Sequence, residues 1–261
     1  MMKSIILCEG KTDLVLYSYY LIKVCGWKSL DEKENRTDKK RFLSRLSSFS
    51  VDYDNQKFCW YFKNDDLLCI YAVGSNDLFA EGLQQIIEIN MLTSAENFEK
   101  VVILSDRDDE ESEPGIIKAA SSVFNKNNIQ FTDITHNSWN TSDEYDDMGE
   151  KKKITLLPLV IPFDETGTIE TFLLNCRKEI NDNEKSLVES IDKFINELDK
   201  NEYVHKNYML QRGLKPKVKF GAYFALISPN KTFDEGNKVL ISIPWEQYTG
   251  FHKVLGLLIE I

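Results

Sequence analysis

The feature that most constrains the fold is a repeated unit: a short apolar run, then a turn, then an amphipathic stretch. The apolar runs lie at residues 4–8, 67–73 and 100–105, and each has the length and composition of a buried strand. Apolar residues at helical spacing follow each run. Strands that alternate with helices form right-handed β-α-β crossovers, which require helices on both faces of the sheet. The sequence therefore predicts an α/β, Rossmann-like fold with a mainly parallel sheet.

The remaining sequence extends this core and adds a second region. We predict a fourth strand at residues 129–135, a hairpin connection or loop at 137–153 and another strand at 154–161. The polar stretch at about 27–66 is an insertion with a helix around 39–49, and helical periodicity dominates after residue 166. The predicted organisation is a core at 1–165 and a mostly helical C-terminal extension, packed on the core, at 166–261.

Composition narrows the classes of protein. A chain of 261 residues buries enough surface to fold without disulfides. Its five cysteines form no C-x-x-C pair and have no histidine at ligand spacing, so we expect reduced thiols rather than a zinc or redox site. The apolar runs are too short for a signal-peptide core or a membrane span. These features favour a soluble cytoplasmic protein with no membrane partner.

The charge distribution bears on nucleic-acid binding. The formal net charge is −10, so the global field repels phosphate polymers and contact requires local basic segments or bound cations. Residues 28–45 carry seven Lys/Arg against four acids, and residues 205–219 carry five Lys/Arg with no acid. We interpret the first segment as a solvated surface. The second segment is the better candidate for phosphate contact.

Acidic residues follow two of the predicted strands. Glu9 comes after the first, and Asp106 and Asp108 come after the third, where open α/β sheets bind their ligands. Asp106 and Asp108 are two residues apart and point the same way in an extended strand end. If the strands are neighbours, the three carboxylates converge and need a cation, for which Mg²⁺ or Mn²⁺ is suited. The pattern predicts metal-assisted phosphoryl transfer, although acids are also common at helix starts.

An apolar strand ending in E-G-x-x-D at residues 9–13, a β-α unit with a Gly turn, and a strand ending in D-x-D at residues 106–108 together resemble the TOPRIM domain. This module is shared by topoisomerases, bacterial primases and the overcoming-lysogenization-defect (OLD) type nucleases. The resemblance implies that Glu9 is a general acid/base or metal ligand and that Asp106 and Asp108 bind metal. It leaves open whether a third acid is Asp109, Glu110 or Glu111, and Glu110 is included among the predicted ligands.

Two shorter segments resemble stand-alone, OLD-like TOPRIM proteins. Pro162 followed by G-x-x-E at residues 167–170 implies that Glu170 joins the acidic site, and K-P-K-V-K at residues 215–219 implies a lysine-bearing helix, with Lys217 as the catalytic lysine. Both segments have simpler interpretations, because Glu170 also fits an ordinary first-turn helix acid and the lysines fit a solvated helix start.

The leading hypothesis is divalent-metal-dependent hydrolysis of DNA or RNA. One alternative is a non-catalytic or partner-activated metal-binding module that works with a separate ATPase, since the chain has no P-loop of its own. A further alternative is a small-molecule phosphatase with Asp106 as nucleophile and Asp108 as acid. Topoisomerase and primase activities are disfavoured, because no strand-passage or zinc-binding module is present in the sequence, and the three histidines suggest no Ser-His-Asp triad.

Overall fold

The structure is a computed structural model that describes residues 2–30, 58–92, 97–147, 149–210, 213–229 and 240–261. The predicted helix around 39–49 and most of the basic segment 28–45 lie outside these residues. Elements are numbered along the described chain. The strands are β1 (Lys3–Cys8), β2 (Lys28–Ser29), β3 (Phe58–Lys63), β4 (Asp66–Ala72), β5 (Lys100–Asp106), β6 (Asn140–Thr141), β7 (Tyr145–Asp147), β8 (Glu150–Lys152) and β9 (Thr155–Ile161). The α-helices are α1 (Lys11–Lys23), α2 (Phe79–Leu92), α3 (Ser112–Lys126), α4 (Ile169–Lys178), α5 (Asp182–Asp199), α6 (Glu202–Val204), α7 (Leu214–Ile227) and α8 (Thr249–Leu255).

Within the described residues, seven strands form one sheet in the order β2-β3-β4-β1-β5-β9-β6. β1 pairs in parallel with β4 and with β5. Hydrogen bonds from Thr155 N to Glu99 O and from Arg107 N to Ile161 O join the two ends of β5 and β9, so these strands also run in the same direction. The outer strands pair antiparallel. The predicted α/β fold with a mainly parallel sheet is confirmed.

The central strands are apolar because both faces of the sheet are covered. Every residue of β1 is buried, and so are the inner residues of β5 and β9. Continuous apolar runs of this kind are typical of parallel strands, whereas strands with one solvated face alternate. Helices α2 and α3 contribute Phe79, Ile86, Ile116 and Phe124 to this core.

The described chain divides into two compact units. Unit 1 comprises residues 1–105, 113–160 and 257–261, and unit 2 comprises residues 106–112 and 161–256. The regular elements described between residues 166 and 261 are all helices, as the sequence predicts. The domain division at residue 165 stays a prediction.

One predicted strand is wrong. Residues 129–135 form no strand, although Ile129 is fully buried and the rings of Phe124 and Phe131 lie 4.9 Å apart. The backbone here makes single hydrogen bonds instead of a ladder: Gln130 O accepts from Asp143 N, and Thr135 N donates to the Asn140 side chain. The apolar residues therefore cover the core as an irregular segment. The predicted hairpin connection at 137–153 does occur, as β7 and β8.

Unit 2 has a partly buried polar network that joins its helices. The Arg177 guanidinium donates to the hydroxyls of Tyr223 and Tyr248 and lies 3.1 Å from Glu184 Oε2. Tyr223 in turn donates to Glu184 at 2.7 Å. Burial raises the pKa of Tyr223, and its hydrogen bond to Glu184 adds to that shift. The network links α4, α5 and α7, and so fixes the helices that carry Glu170 and Lys217.

No helix among the described residues is long and apolar enough to cross a membrane.

Candidate functional site

Glu9 lies in unit 1, directly after β1, and its side chain is partly exposed. The hydroxyl of the buried residue Ser105 lies 3.1 Å from Glu9 Oε1 and 2.6 Å from Asn76 Oδ1, so it can donate to either oxygen. The backbone carbonyl of Glu9 also accepts from Gly74 N at 2.8 Å. The Gly turn after β4 is thus bonded to Glu9, and the 3₁₀ turn that follows it supplies Asn76.

The rest of the E-G-x-x-D segment has a local structural role. Asp13 lies in the first turn of α1, and its carboxylate accepts from Gly10 N at 2.8 Å. An acid at this position stabilises the helix start. A Cβ on Gly10 would lie 3.6 Å from Asp13, which is an ordinary contact, and Gly10 has a φ of −133°. Glu9 is therefore the residue in this motif without a helix-capping explanation.

Asp106 is the last residue of β5 and the first residue of unit 2. Its Oδ1 accepts from Ile169 N at 2.8 Å, so the carboxylate holds the first turn of α4. The neighbouring Arg107 is bonded to the segment before α4, since its carbonyl accepts from Gly167 N at 2.7 Å and its Nε donates to Pro162 O at 2.7 Å. The D-x-D segment and the G-x-x-E segment, read separately in the sequence, are thus joined within unit 2.

Gly167 is required at this junction for a steric reason. A Cβ on Gly167 would lie 2.8 Å from the Cβ, Cγ2 and Oγ1 atoms of Thr171. Real Cβ atoms essentially never approach so closely, and the Thr171 side chain is itself held, because its hydroxyl accepts from Thr168 N. Only glycine lets the chain cross α4 at this distance while it bonds to Arg107.

Glu170 lies in the first turn of α4 and is only 4% exposed. Its Oε1 is 3.8 Å from Lys217 Nζ, a distance of ion pairing without a hydrogen bond. Its other oxygen, Oε2, is buried and has no hydrogen-bond partner among the described residues. A buried carboxylate oxygen left without a partner costs about 1–3 kcal/mol or more. The fold therefore buries at Glu170 a carboxylate oxygen that no donor among the described residues satisfies.

The three lysines of the basic segment have different surroundings. Lys215 Nζ lies 2.7 Å from Asp199 and Lys219 Nζ lies 2.7 Å from Asp192. Lys217 is the lysine beside Glu170, and its side chain is 55% exposed. Lys217 can thus contact both Glu170 and solvent, whereas the other two lysines pair with acids of α5.

The structure also distinguishes the acids of residues 108–111. Asp109 Oδ1 accepts from the Ser112 hydroxyl at 2.9 Å and from Glu111 N at 3.1 Å, so this side chain shapes the turn before α3. Asp108 is partly exposed and Glu110 is exposed. Asp109 is therefore committed to the turn.

Unit 2 brings Asp106, Glu170 and Lys217 to the first turn of α4, while Glu9 has its own polar partners in unit 1. Sequence reasoning missed those partners, Ser105 and Asn76. Their signal is weak: a serine ends an otherwise apolar run at residues 100–105, and Asn76 lies in the turn that follows the apolar run at residues 67–73.

A divalent metal fits this chemistry in part. In the portion of the chain that the structure describes, no group of three or more His, Cys, Asp or Glu side chains is arranged to hold a metal. Mg²⁺ commonly takes only one or two protein carboxylates and completes its shell with water and substrate phosphate. The unsatisfied Oε2 of Glu170 is the donor that matches this need. Glu170 and the other carboxylates of unit 2 thus fit a loosely held cation better than a fully caged one.

Fold and site together define an α/β protein with a mainly parallel sheet and a buried acid, Glu170, in the first turn of α4. The chain belongs to the family described as a protein of unknown function (DUF3226), which matches residues 3–238. No curated protein matches the chain. Its structure is similar to the crystal structure of hypothetical protein PH0156 from Pyrococcus horikoshii OT3, with 15% sequence identity, a TM-score of 0.50, and coverage of 100% of this chain and 98% of that chain. At this identity the likeness concerns the fold alone.

Proposed function

We propose that the protein is a divalent-metal-dependent phosphodiesterase that hydrolyses DNA or RNA. Its acidic residues are Glu9, Asp106, Asp108 and Glu170, with Glu110 as an exposed additional ligand and Lys217 as the phosphate-contacting lysine. The proposed partner is nucleic acid, and the proposed cofactor is Mg²⁺ or Mn²⁺. The proposed location is the cytoplasm, where thiols stay reduced. The resemblance of these motifs to TOPRIM nucleases belongs to the same proposal.

One observation carries the proposal: a buried carboxylate oxygen of Glu170 has no hydrogen-bond partner within the part of the chain that the structure describes. Burying a carboxylate oxygen costs desolvation free energy. A bound cation or substrate can offset this cost by contacting the oxygen. The positive end of the α4 dipole only partly offsets the charge. Gly167 of the G-x-x-E segment packs against Thr171 of α4, and Asp106 of the D-x-D segment accepts from Ile169 N in the first turn of the same helix.

Each residue has a task that follows from its surroundings. When bound, Mg²⁺ supplies Lewis-acid stabilisation of the phosphate and a more acidic water. Asp106, hydrogen-bonded to Ile169 N, orients one carboxylate oxygen at α4. Lys217, half-exposed beside Glu170, can place its ammonium against a phosphate oxygen. Glu9, oriented by Ser105, is partly exposed and is available as general acid or base.

The test is cleavage of end-labelled single-stranded and double-stranded DNA and RNA by the full chain in Mg²⁺, Mn²⁺ or EDTA. We expect metal-dependent cleavage that falls by at least about a hundredfold in Glu9→Gln, Asp106→Asn and Glu170→Gln. Glu189→Gln is the matched control, because Glu189 is an exposed carboxylate of α5. Thermal melts of all variants separate loss of chemistry from loss of fold. Full activity in folded Asp106→Asn and Glu170→Gln would refute the proposal.

A second candidate function is a metal-binding module that a separate ATPase activates. The observation that favours it is that the described residues include no preassembled group of three ligands. It predicts Mn²⁺ binding that Glu170→Gln weakens, no cleavage by the isolated chain, and stoichiometric copurification of an ATPase. Turnover of p-nitrophenyl phosphate without any polymer cleavage would instead indicate a small-molecule phosphatase.

A further inference from the structure

Two tyrosines of unit 2 present their rings to solvent side by side. Tyr203 and Tyr208 are 66% and 57% exposed, and their ring centroids lie 6.1 Å apart with the planes at 73°. This is an edge-to-face contact, which leaves ring faces open to solvent. Exposed aromatic pairs are a recurring means of stacking the bases of single-stranded nucleic acids.

The backbone holds this pair in a defined position. Asn201 Oδ1 accepts from the backbone N–H groups of Tyr203 and Val204, and Asn207 Nδ2 donates to Tyr203 O at 2.8 Å. The chain then makes a π-helical turn over His205–Met209, with Met209 buried. Such turns are rare and occur frequently at functional sites. The two rings are thus presented on an anchored segment.

Basic residues are concentrated in the chain segment that carries the pair, although the chain as a whole is acidic. Residues 199–219 contain six Lys/Arg against two acids, in a chain of net charge −10. Four of these lysines pair with acids, namely with Glu197, Asp199, Glu170 and Asp192. Lys206 lies between the two tyrosines in sequence, is exposed, and has no ion pair or hydrogen bond among the described residues. Its charge is available to a phosphate, which favours a polyanion over an apolar protein surface as the ligand.

The tyrosine pair is separated by only a short length of chain from a residue that lies beside the first turn of α4, which carries Glu170. Gly213 is five positions after Tyr208, so the chain between them spans at most about 18 Å. A Cβ on Gly213 would lie 3.9 Å from Thr168 Cγ2, and Thr168 is the residue that caps α4, two positions before Glu170. A base stacked on Tyr208 and a phosphate at Glu170 can therefore belong to neighbouring parts of one strand.

We propose that Tyr203 and Tyr208 form a stacking platform for unpaired bases, with Lys206 on the adjoining phosphate, and that the substrate is single-stranded. The inference rests on the proposed function, since it names the substrate class of that site. Duplex bases are already stacked on one another and are not available to the rings, whereas single strands expose every base face. The platform selects unpaired segments without reading their sequence.

The test is binding of a fluorescent strand of about 12 nucleotides, within the usual range of such sites, measured by anisotropy in EDTA so that no cleavage occurs. We expect Tyr203→Ala and Tyr208→Ala each to weaken binding roughly five- to hundredfold, with Tyr203→Phe and Tyr208→Phe close to wild type. A strand that lacks bases should bind all of these variants equally. Lys206→Gln should weaken both strands and reduce the salt slope by about 0.7.

Phe194→Ala is the matched control, because Phe194 of α5 is also 59% exposed. Unchanged binding in the double tyrosine variant would overturn the inference, and intact metal-dependent cleavage would then leave the proposed function standing. Tyrosine-dependent binding without cleavage under any metal would support the stacking platform but remove the proposed function, and with it the assignment of the strand as a substrate. Loss of self-association in the double variant, with strand binding unchanged, would identify the pair as a contact between copies and also overturn it.

Discussion

Glu9 in unit 1 and Glu170 in unit 2 are both predicted from acid-containing motifs, yet their surroundings differ. Glu9 is partly exposed, and a serine hydroxyl lies 3.1 Å from its carboxylate. Glu170 is 4% exposed, and one of its oxygens has no partner among the described residues. A carboxylate that is hydrogen-bonded and accessible to solvent needs no ligand to satisfy it. A buried carboxylate with one unbonded oxygen gains more from a bound cation or substrate, so Glu170 is the stronger indicator of a ligand.

The same contrast separates the glycines of the two motifs. The fold can accept a side chain at Gly10 but has no room for one at Gly167, where α4 and the D-x-D segment meet. We therefore expect a side chain to be tolerated at Gly10, next to Glu9, and not at Gly167, three residues before Glu170. Tight packing around a polar group is how a fold holds a reactive side chain in one geometry.

The largest expected effect on stability tests this contrast directly. Gly167→Ala should destabilise the protein by roughly 1–3 kcal/mol, because the new methyl group would lie 2.8 Å from three atoms of Thr171. Gly10→Ala should stay within about 0.5 kcal/mol, since its methyl group meets Asp13 at 3.6 Å. Urea unfolding monitored by circular dichroism measures both. Equal losses in the two variants would break the comparison.

A smaller effect is expected from the carboxylates themselves. In EDTA, Glu170→Gln should raise the free energy of unfolding by about 1 kcal/mol, because it removes a buried charge that lacks a full set of donors. Glu9→Gln should change it little. Added Mg²⁺ should raise the Tm of the wild type and of Glu9→Gln, but not that of Glu170→Gln. Scanning calorimetry with and without Mg²⁺ measures these shifts, and destabilisation by Glu170→Gln in EDTA would show that Lys217 alone satisfies the carboxylate.

The smallest effect concerns acid pH and two ion pairs of unit 2. The hydrogen bond from Lys215, and then that from His205, lowers the pKa of Asp199, and the hydrogen bond from Lys253 lowers the pKa of Asp164. The stability from these pairs is present above the unfolded pKa of about 3.9 and is lost as the pH falls through the lower folded values. Lys215→Met should therefore show a smaller loss of Tm than wild type between about pH 6 and about pH 3. An identical loss in the two proteins would mean that the Asp199 pair contributes nothing.

Much of the fold is encoded locally. Buried runs such as residues 4–8 and 100–105 predict parallel strands because only a strand covered on both faces is apolar at every position. The exception, at residues 129–135, shows the limit of this rule. Ile129 is buried and Phe131 and Ile134 are partly buried against the core, but the backbone of this segment forms no ladder with any described strand.

The acidic site was predicted in outline and not in detail. The local pattern shows which carboxylates follow strands and which begin helices, because strand ends and capping positions depend on a few neighbouring residues. Packing of the folded chain adds that Asp109 is committed to a turn, that Ser105 bonds Glu9, and that Lys217 rather than its neighbours contacts Glu170. The physical reason is that burial and hydrogen bonding of a side chain depend on residues distant in sequence. Glu170 is an ordinary helix acid by its local pattern, and only the packing of the helices of unit 2 buries it with one carboxylate oxygen that has no partner among the described residues.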